Sequence, residues 1–214
     1  MSGSLSRSAE LSHSSLSGAT PLGAAHLLLG AEIVAGAVRL RVVEVEAYGS
    51  DPGGPWPDPA AHSFPGPTRR NAVMFGPAGR LYVYLSHGLH HCVNVTCAPE
   101  GTAGAVLIRA AEVVVGAEAV RARRGAERAD RDLARGPGNL GRALGITLSD
   151  NGIDLFDRQS AIRLESASAT GVAAGPRVGV SRAADRPWRI WDPESKAVSS
   201  YRRSPRAPAA PSAG

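Results

Sequence analysis

Lysine is almost missing from this chain. Of its 24 Lys and Arg residues, Lys196 alone is lysine. Chemistry that forms a Schiff base on a lysine amine therefore has one candidate, near the C-terminus. Cysteine is scarce too. Cys92 and Cys97 do not make a disulfide framework, and a reducing cytoplasm is the default expectation. No apolar run reaches the roughly 18 residues of a membrane span, so no membrane partner is expected. Leu27, Leu28 and Leu29 form a short apolar knot, but no basic region or cleavage site of signal-peptide type frames it. There is no Gly-x-Gly-x-x-Gly loop and no Walker loop. That argues against nucleotide-cofactor chemistry, and no cofactor is expected.

What remains is a basic chain of 214 residues with net charge +5. The length suits one domain with tails, and the charge favours a polyanionic partner. Residues 1–19 are rich in Ser and read as a flexible arm. Residues 204–214, rich in Pro, Ala and Ser, read as a flexible tail. Between them, 20–203 read as one folded domain. A short helix is expected at 22–29, and two strands at 31–34 and 38–45 around Ala35-Gly36. Residues 49–59 carry four Pro and three Gly and read as a loop. Strands at 81–86 and 91–96 frame a hairpin turn. Further strands are expected at 105–110, 153–156, 162–165 and 176–180. Residues 112–135, Arg-rich and free of Pro, read as helix. Asn139 reads as the cap of another helix running to 144. No regular βαβ rhythm runs through this order. It predicts an α+β fold with a curved, largely antiparallel sheet surrounded by helices.

The run Arg41 to Tyr48 is the densest in chemistry. It alternates, placing Val43, Val45 and Ala47 on one face and Glu44, Glu46 and Tyr48 on the other. Two carboxylates beside an aromatic ring on a strand suit a general base next to a stacking platform. Those eight residues alone fit an edge strand with a solvated acidic face better than they fit a site. Other single residues are similarly open. Tyr82 and Tyr84 share a strand face and could simply pack. His62 could be a loop histidine, and Asn94 a hydrogen-bonder at a strand end. Arg109, inside an apolar strand, needs an anionic partner, for which Glu112 or another carboxylate would serve. The Arg run from 121 to 135 fits a solvated helix face.

Taken in order, the windows say more. Val43-Glu44-Val45-Glu46-Ala47-Tyr48 is followed by Ala60-Ala61-His62-Ser63, Arg70-Asn71 and Met74-Phe75-Gly76-Pro77. Then come Gly79-Arg80-Leu81-Tyr82-Val83-Tyr84, His87-Gly88 and Cys92-Val93-Asn94-Val95. Val106-Leu107-Ile108-Arg109-Ala110, Arg135-Gly136-Pro137-Gly138-Asn139-Leu140 and Pro176-Arg177-Val178-Gly179-Val180 complete the series. In order and spacing this resembles the alkyladenine (3-methyladenine) DNA glycosylase family, over roughly residues 22–203.

The resemblance implies a monofunctional base-excision-repair enzyme. It would flip alkylated or deaminated purines out of double-stranded DNA and hydrolyse the N-glycosidic bond, acting as a monomer. Glu46 would activate the water, and Arg109 would help hold the water and the target phosphate. Tyr48, His62 and Tyr84 would sandwich the flipped base, and Asn94 would reject normal guanine. His87 would plug the gap in the duplex from the tip of a protruding, DNA-inserting hairpin. Mammalian members carry Tyr at that point, so a His here offers less apolar area. Two other readings compete. A non-enzymatic DNA-damage-binding module would explain the basic charge. A metal-dependent hydrolase would use His87, His90, His91, Cys92 and Cys97, which fall within eleven residues. Zinc favours such ligands, but His91 and Cys92 on a strand point to opposite faces, so no metal is expected.

Overall fold

The computed structural model describes residues 10–209. The first part of the Ser-rich arm and the end of the tail lie outside the described residues. Strands β1 (Glu32–Ala35), β2 (Val38–Tyr48), β3 (Leu81–Ser86), β4 (His90–Thr96), β5 (Ala105–Val115), β6 (Ile162–Glu165), β7 (Ala173–Gly175) and β8 (Arg189–Trp191) form one sheet. Its order is β3-β4-β5-β2-β1-β6, with β7 and β8 joined to it through β8 on β2. Every pairing of named strands is antiparallel, and the sheet is curled, as the α+β expectation required. The helices are α1 (His13–Ser17), α2 (Pro21–Leu28), α3 (Ala117–Arg124) and α4 (Pro137–Leu144).

A strand sends alternate side chains to opposite faces, and the two faces of this sheet are covered differently. On one, Leu81, Val83, Val93, Val95, Val106 and Ile108 pack with Leu28 of α2 and Leu140 of α4 in the main core. On the other, Tyr82 packs on Met74, Ala103 and Ala105, with Tyr84 alongside. Loops cover this second face, and the polar side chains gather there. The helices thus lie against one face rather than around the sheet.

The strands β2 and β5 depart from simple pairing at Val114, between the Arg39–Val115 and Leu40–Val113 pairs, and again in the middle of the ladder. Val42 pairs with Ala111, Glu44 with Ala110 and Val45 with Ile108. Val43 is therefore an extra residue on β2, and Arg109 an extra residue on β5. These paired bulges turn Val43 away from the main core and into a small cluster with Ala110 and Ala197. Val43 thus shares a side with Glu44 rather than with Val45 and Ala47 as expected. Bulges re-aim side chains, and this pair sets Arg109 beside Glu44 and Glu46.

Several expected elements differ. The helix expected at 112–135 shrinks to α3, because β5 runs on through Val113, Val114 and Val115. β-Branched residues favour the extended chain, and Gly116, at φ 83°, turns the chain into the helix. Asn139 does not cap α4. It sits inside the helix, which begins at Pro137, and donates to the Arg135 carbonyl at 2.7 Å. Residues 153–156 make only an isolated bridge between Asp154 and Arg80, and 176–180 form no strand. The arm is ordered in its described part. Ser12 and Ser15 form a capping box for α1, and Leu16 is fully buried.

Helix α4 is seated directly on the hairpin strand β4. Gly138 lies against the His90 ring, and Gly141 against the His91 carbonyl, so closely that neither position has room for a Cβ.

Candidate active site

Glu46 is wholly buried, yet its carboxylate is well supplied with donors. The Val178 N–H donates to Oε1 at 2.7 Å, and Arg109 Nη1 lies 3.2 Å from the same atom. The Tyr48 hydroxyl donates to Oε2 at 2.8 Å. Donors thus reach both carboxylate oxygens. The Tyr48 phenol is held well above its ordinary pKa, first by burial and then by the Glu46 charge, so it stays a neutral donor.

Arg109 bridges the two carboxylates. Its Nε donates to Glu44 at 3.1 Å, and its Nη2 to the Ser199 hydroxyl at 3.3 Å. Burial opposes its charge, but Glu46 and Glu44 outweigh burial and raise its pKa. Glu44 also accepts from Arg189 at 2.6 Å and from the Ser199 backbone at 2.8 Å. Glu112, the partner considered for Arg109, instead pairs with Arg41. Two carboxylates and two guanidiniums thus form a balanced buried network under the aromatic pocket.

That pocket is lined by Tyr48, Ala60, His62, Met74, Tyr82, Tyr84 and Asn94. Three of the four tyrosines in the chain meet here. The cavity measures about 80 Å³, well below the ~300 Å³ at the lower end of ordinary ligand pockets. The His62 and Tyr84 rings meet edge-on, with centroids 4.5 Å apart. A flat base between two rings needs about 7 Å, two contacts of about 3.5 Å each, so a base in this slot requires them to part. His62 Nδ1 lies 3.2 Å from the Tyr82 hydroxyl. Burial, together with the Arg70 charge, holds the imidazole below its ordinary pKa. Burial likewise pushes the Tyr82 phenol up to about 12. Asn94 donates to the Tyr82 carbonyl at 3.1 Å, which fixes its amide across the β3–β4 pair.

The loop at 49–59 is tied to the site by Arg177. Its Nη1 donates to Asp58 at 2.6 Å and to the Ala47 carbonyl at 2.9 Å, and its Nη2 takes the other Asp58 oxygen at 2.9 Å. The same guanidinium lies over Tyr48, with Cζ 4.6 Å from the ring centroid. A neighbouring brace holds His62, since the Asn71 side chain donates to the His62 carbonyl at 2.8 Å.

The structure therefore brings together Glu46, Arg109, Tyr48, His62, Tyr84 and Asn94. Glu46 lies behind Tyr48 rather than at the mouth of the pocket. His87 stands apart, exposed at the turn between β3 and β4 with φ 50°, and Leu89 beside it is 76% exposed. Among the described residues, no three His, Cys, Asp or Glu side chains converge as a metal site, and no helix is long and apolar enough to cross a membrane. Sequence reasoning missed Tyr82, Arg177 and Asp58, and the Val178 N–H. Tyr82 had a signal, its place two residues before Tyr84. Arg177 and Val178 stand in one of the windows quoted for the resemblance, but nothing in the sequence links Arg177 to Asp58, 119 residues away.

Comparison with known proteins places these residues in context. A family model described as methylpurine-DNA glycosylase matches residues 16–196. A protein of Nocardia farcinica is 65% identical over 193 residues, covering 89% of this chain and 91% of its own. Relatives from Rhodococcus jostii and Mycobacterium tuberculosis are 60% and 61% identical over 189 residues. The first covers 85% of its own length and the second 93%. All three are provisionally named 3-methyladenine DNA glycosylase.

Proposed function

The chain belongs to the methylpurine-DNA glycosylase family, and from that premise we propose that it excises damaged purines from duplex DNA by a water-mediated, monofunctional reaction at Glu46. One observation carries the reading: a fully buried carboxylate, held by Arg109, Val178 and Tyr48, directly behind a pocket of three tyrosines and a histidine. A base inside the stack is out of reach, so the target must be extruded, at a cost of a few kcal/mol. Stacking on aromatic rings returns about 1–3 kcal/mol per base. A 3-alkylated adenine or 7-alkylated guanine is cationic while attached to its sugar. It therefore gains further from electron-rich tyrosine faces.

Cleavage sends the electron pair of the glycosidic bond to the departing purine, which leaves neutral if it was cationic. The sugar becomes oxocarbenium-like. Glu46 takes a proton from water as the water oxygen bonds to the anomeric carbon, and its negative charge favours the sugar cation in the same step. Arg109 and the Val178 N–H keep the carboxylate oriented. Lys196 is exposed and lines a separate depression with Glu112, Asp130 and Arg131, so among the described residues no lysine amine stands at the pocket.

Single-turnover assays on duplexes carrying 3-methyladenine, 7-methylguanine, hypoxanthine or ethenoadenine test the reading. Expected is base release that leaves the strand intact. No release from any of the four, or stoichiometric trapping of a covalent adduct with borohydride, would reject it.

A further inference from the structure

A second depression lies on the helix-covered side of the hairpin, away from the tyrosine pocket. The facing sides of α3 and α4 and the start of β4 enclose a groove of about 750 Å³. Its lining includes Leu89, His90, His91, Arg123, Arg124 and Arg142. None of its lining residues is Asp or Glu. Among the described residues, no carboxylate lies within 4 Å of Arg123, Arg124, Arg142 or the neighbouring Arg128.

Arg124 is the informative member. It is only 7% exposed, and its Nε donates to the Leu133 carbonyl at 2.9 Å. Its Nη2 is buried without any partner. Leaving a charged donor unpaired is costly, and native proteins rarely do so without a reason. Burial, with Arg128 and Arg142 nearby, holds this guanidinium below its ordinary pKa. Two of the cations around it are positioned by their own contacts. Arg123 Nη1 donates to the Ala143 carbonyl at 2.7 Å, and Arg128 Nε to the Arg124 carbonyl at 2.8 Å. The result is a fixed set of like charges, with one buried N–H left over and no counter-anion.

We propose that this groove is a phosphate-binding site for the DNA backbone, gripping the duplex beside the hairpin; the proposal rests on the DNA glycosylase reading. Its position favours DNA over a small anion. Leu89, the exposed side chain of the hairpin turn, lines the same groove, so a duplex meeting the turn lies alongside these arginines. Contacts of this kind set register and orientation and carry no sequence information.

Arg124 is buried, so its loss would disturb packing as well as free the Leu133 carbonyl, and the exposed Arg123 and Arg142 are tested instead. The double variant Arg123→Gln/Arg142→Gln is compared with wild type by anisotropy on an undamaged labelled duplex across a KCl series. Each phosphate contact contributes about 0.9 to the slope of log K against log [salt]. The double variant is expected to flatten that slope by about one or more. A methylphosphonate scan then locates the contact: one neutralised phosphate should weaken wild type and leave the double variant unaffected. An unchanged slope, or a variant as sensitive as wild type at every position, overturns the site. Both measurements use binding alone. If wild-type protein shows the groove-dependent slope but releases no base, the glycosylase reading fails and the groove stands. Base release with an unaltered slope in the variant does the reverse.

Discussion

Arg177 sits over Tyr48, with its Cζ 4.6 Å from the ring centroid, while its two Nη atoms hold both oxygens of Asp58. The pair is fully buried and joins the loop at 49–59 to the back of a pocket ring. Breaking a buried ion pair by removing one partner costs about 3–5 kcal/mol, because the other charge is left uncompensated. Arg177→Met and Asp58→Asn should each lower stability by about that much. The double variant should cost clearly less than the sum, since neither charge remains. Denaturant unfolding of all four proteins checks this, and simple additivity would show that the two residues are not coupled.

Glu46 and Glu44 should separate chemistry from stability. Glu46→Gln keeps the shape and an acceptor but cannot take the proton from water. Single-turnover excision should fall by about 10²–10⁴-fold, with binding to lesion DNA retained. Glu44 accepts from two arginines and Ser199. Glu44→Gln should therefore appear mainly as a lower melting temperature, with a much smaller loss of rate than Glu46→Gln. A reversed ranking of rates would move the general base to Glu44.

His62 gives a dependence on pH. Its folded pKa lies below the ordinary 6.5, through burial and then Arg70. Above that value both folded and unfolded chains keep it neutral, and nothing is lost. As pH falls through it, the unfolded chain takes up the proton while the folded chain resists, so stability declines towards the folded pKa. Wild type should lose melting temperature relative to His62→Phe between about pH 7 and about pH 5, in the range where histidine titrates. A gap that stays constant with pH would mean that His62 does not remain neutral in the folded state.

At the hairpin turn, backbone and side chain can be tested separately. His87 has φ 50°, a left-handed conformation that costs a non-glycine residue about 1–2 kcal/mol. His87→Gly should keep or raise the melting temperature, yet lower excision, most for neutral lesions that stack poorly. Leu89→Ala removes the exposed apolar group beside it and should also weaken flipping, read by a 2-aminopurine reporter. If excision of hypoxanthine is unchanged in both variants, the turn is not the wedge.

Local pattern made part of this site legible. The alternation from Arg41 to Tyr48 identified β2, and two strands around His87-Gly88 identified the hairpin, because both depend on neighbouring residues. The paired bulge at Val43 and Arg109 left no local trace. It is a matter of register between β2 and β5, and alternation within either strand looks intact across it. The helix read at 112–135 was too long for a similar reason. Charged residues without Pro look helical, while Val113 and Val115 continue β5 by pairing with Leu40 and Arg39 of β2. Three-residue β8 was too short to show any period, although it closes the network by placing Arg189 on Glu44.

The contact of Gly138 and Gly141 with β4 has a mechanical consequence. The hairpin resembles a lever braced just behind its turn, at His90 and His91, by α4. Thrust at the turn passes into that helix instead of folding the hairpin back. Arg142 rides on the same helix, so the hairpin turn and the proposed phosphate groove share one mounting. Loosening either glycine contact with a larger side chain would put play into both at once.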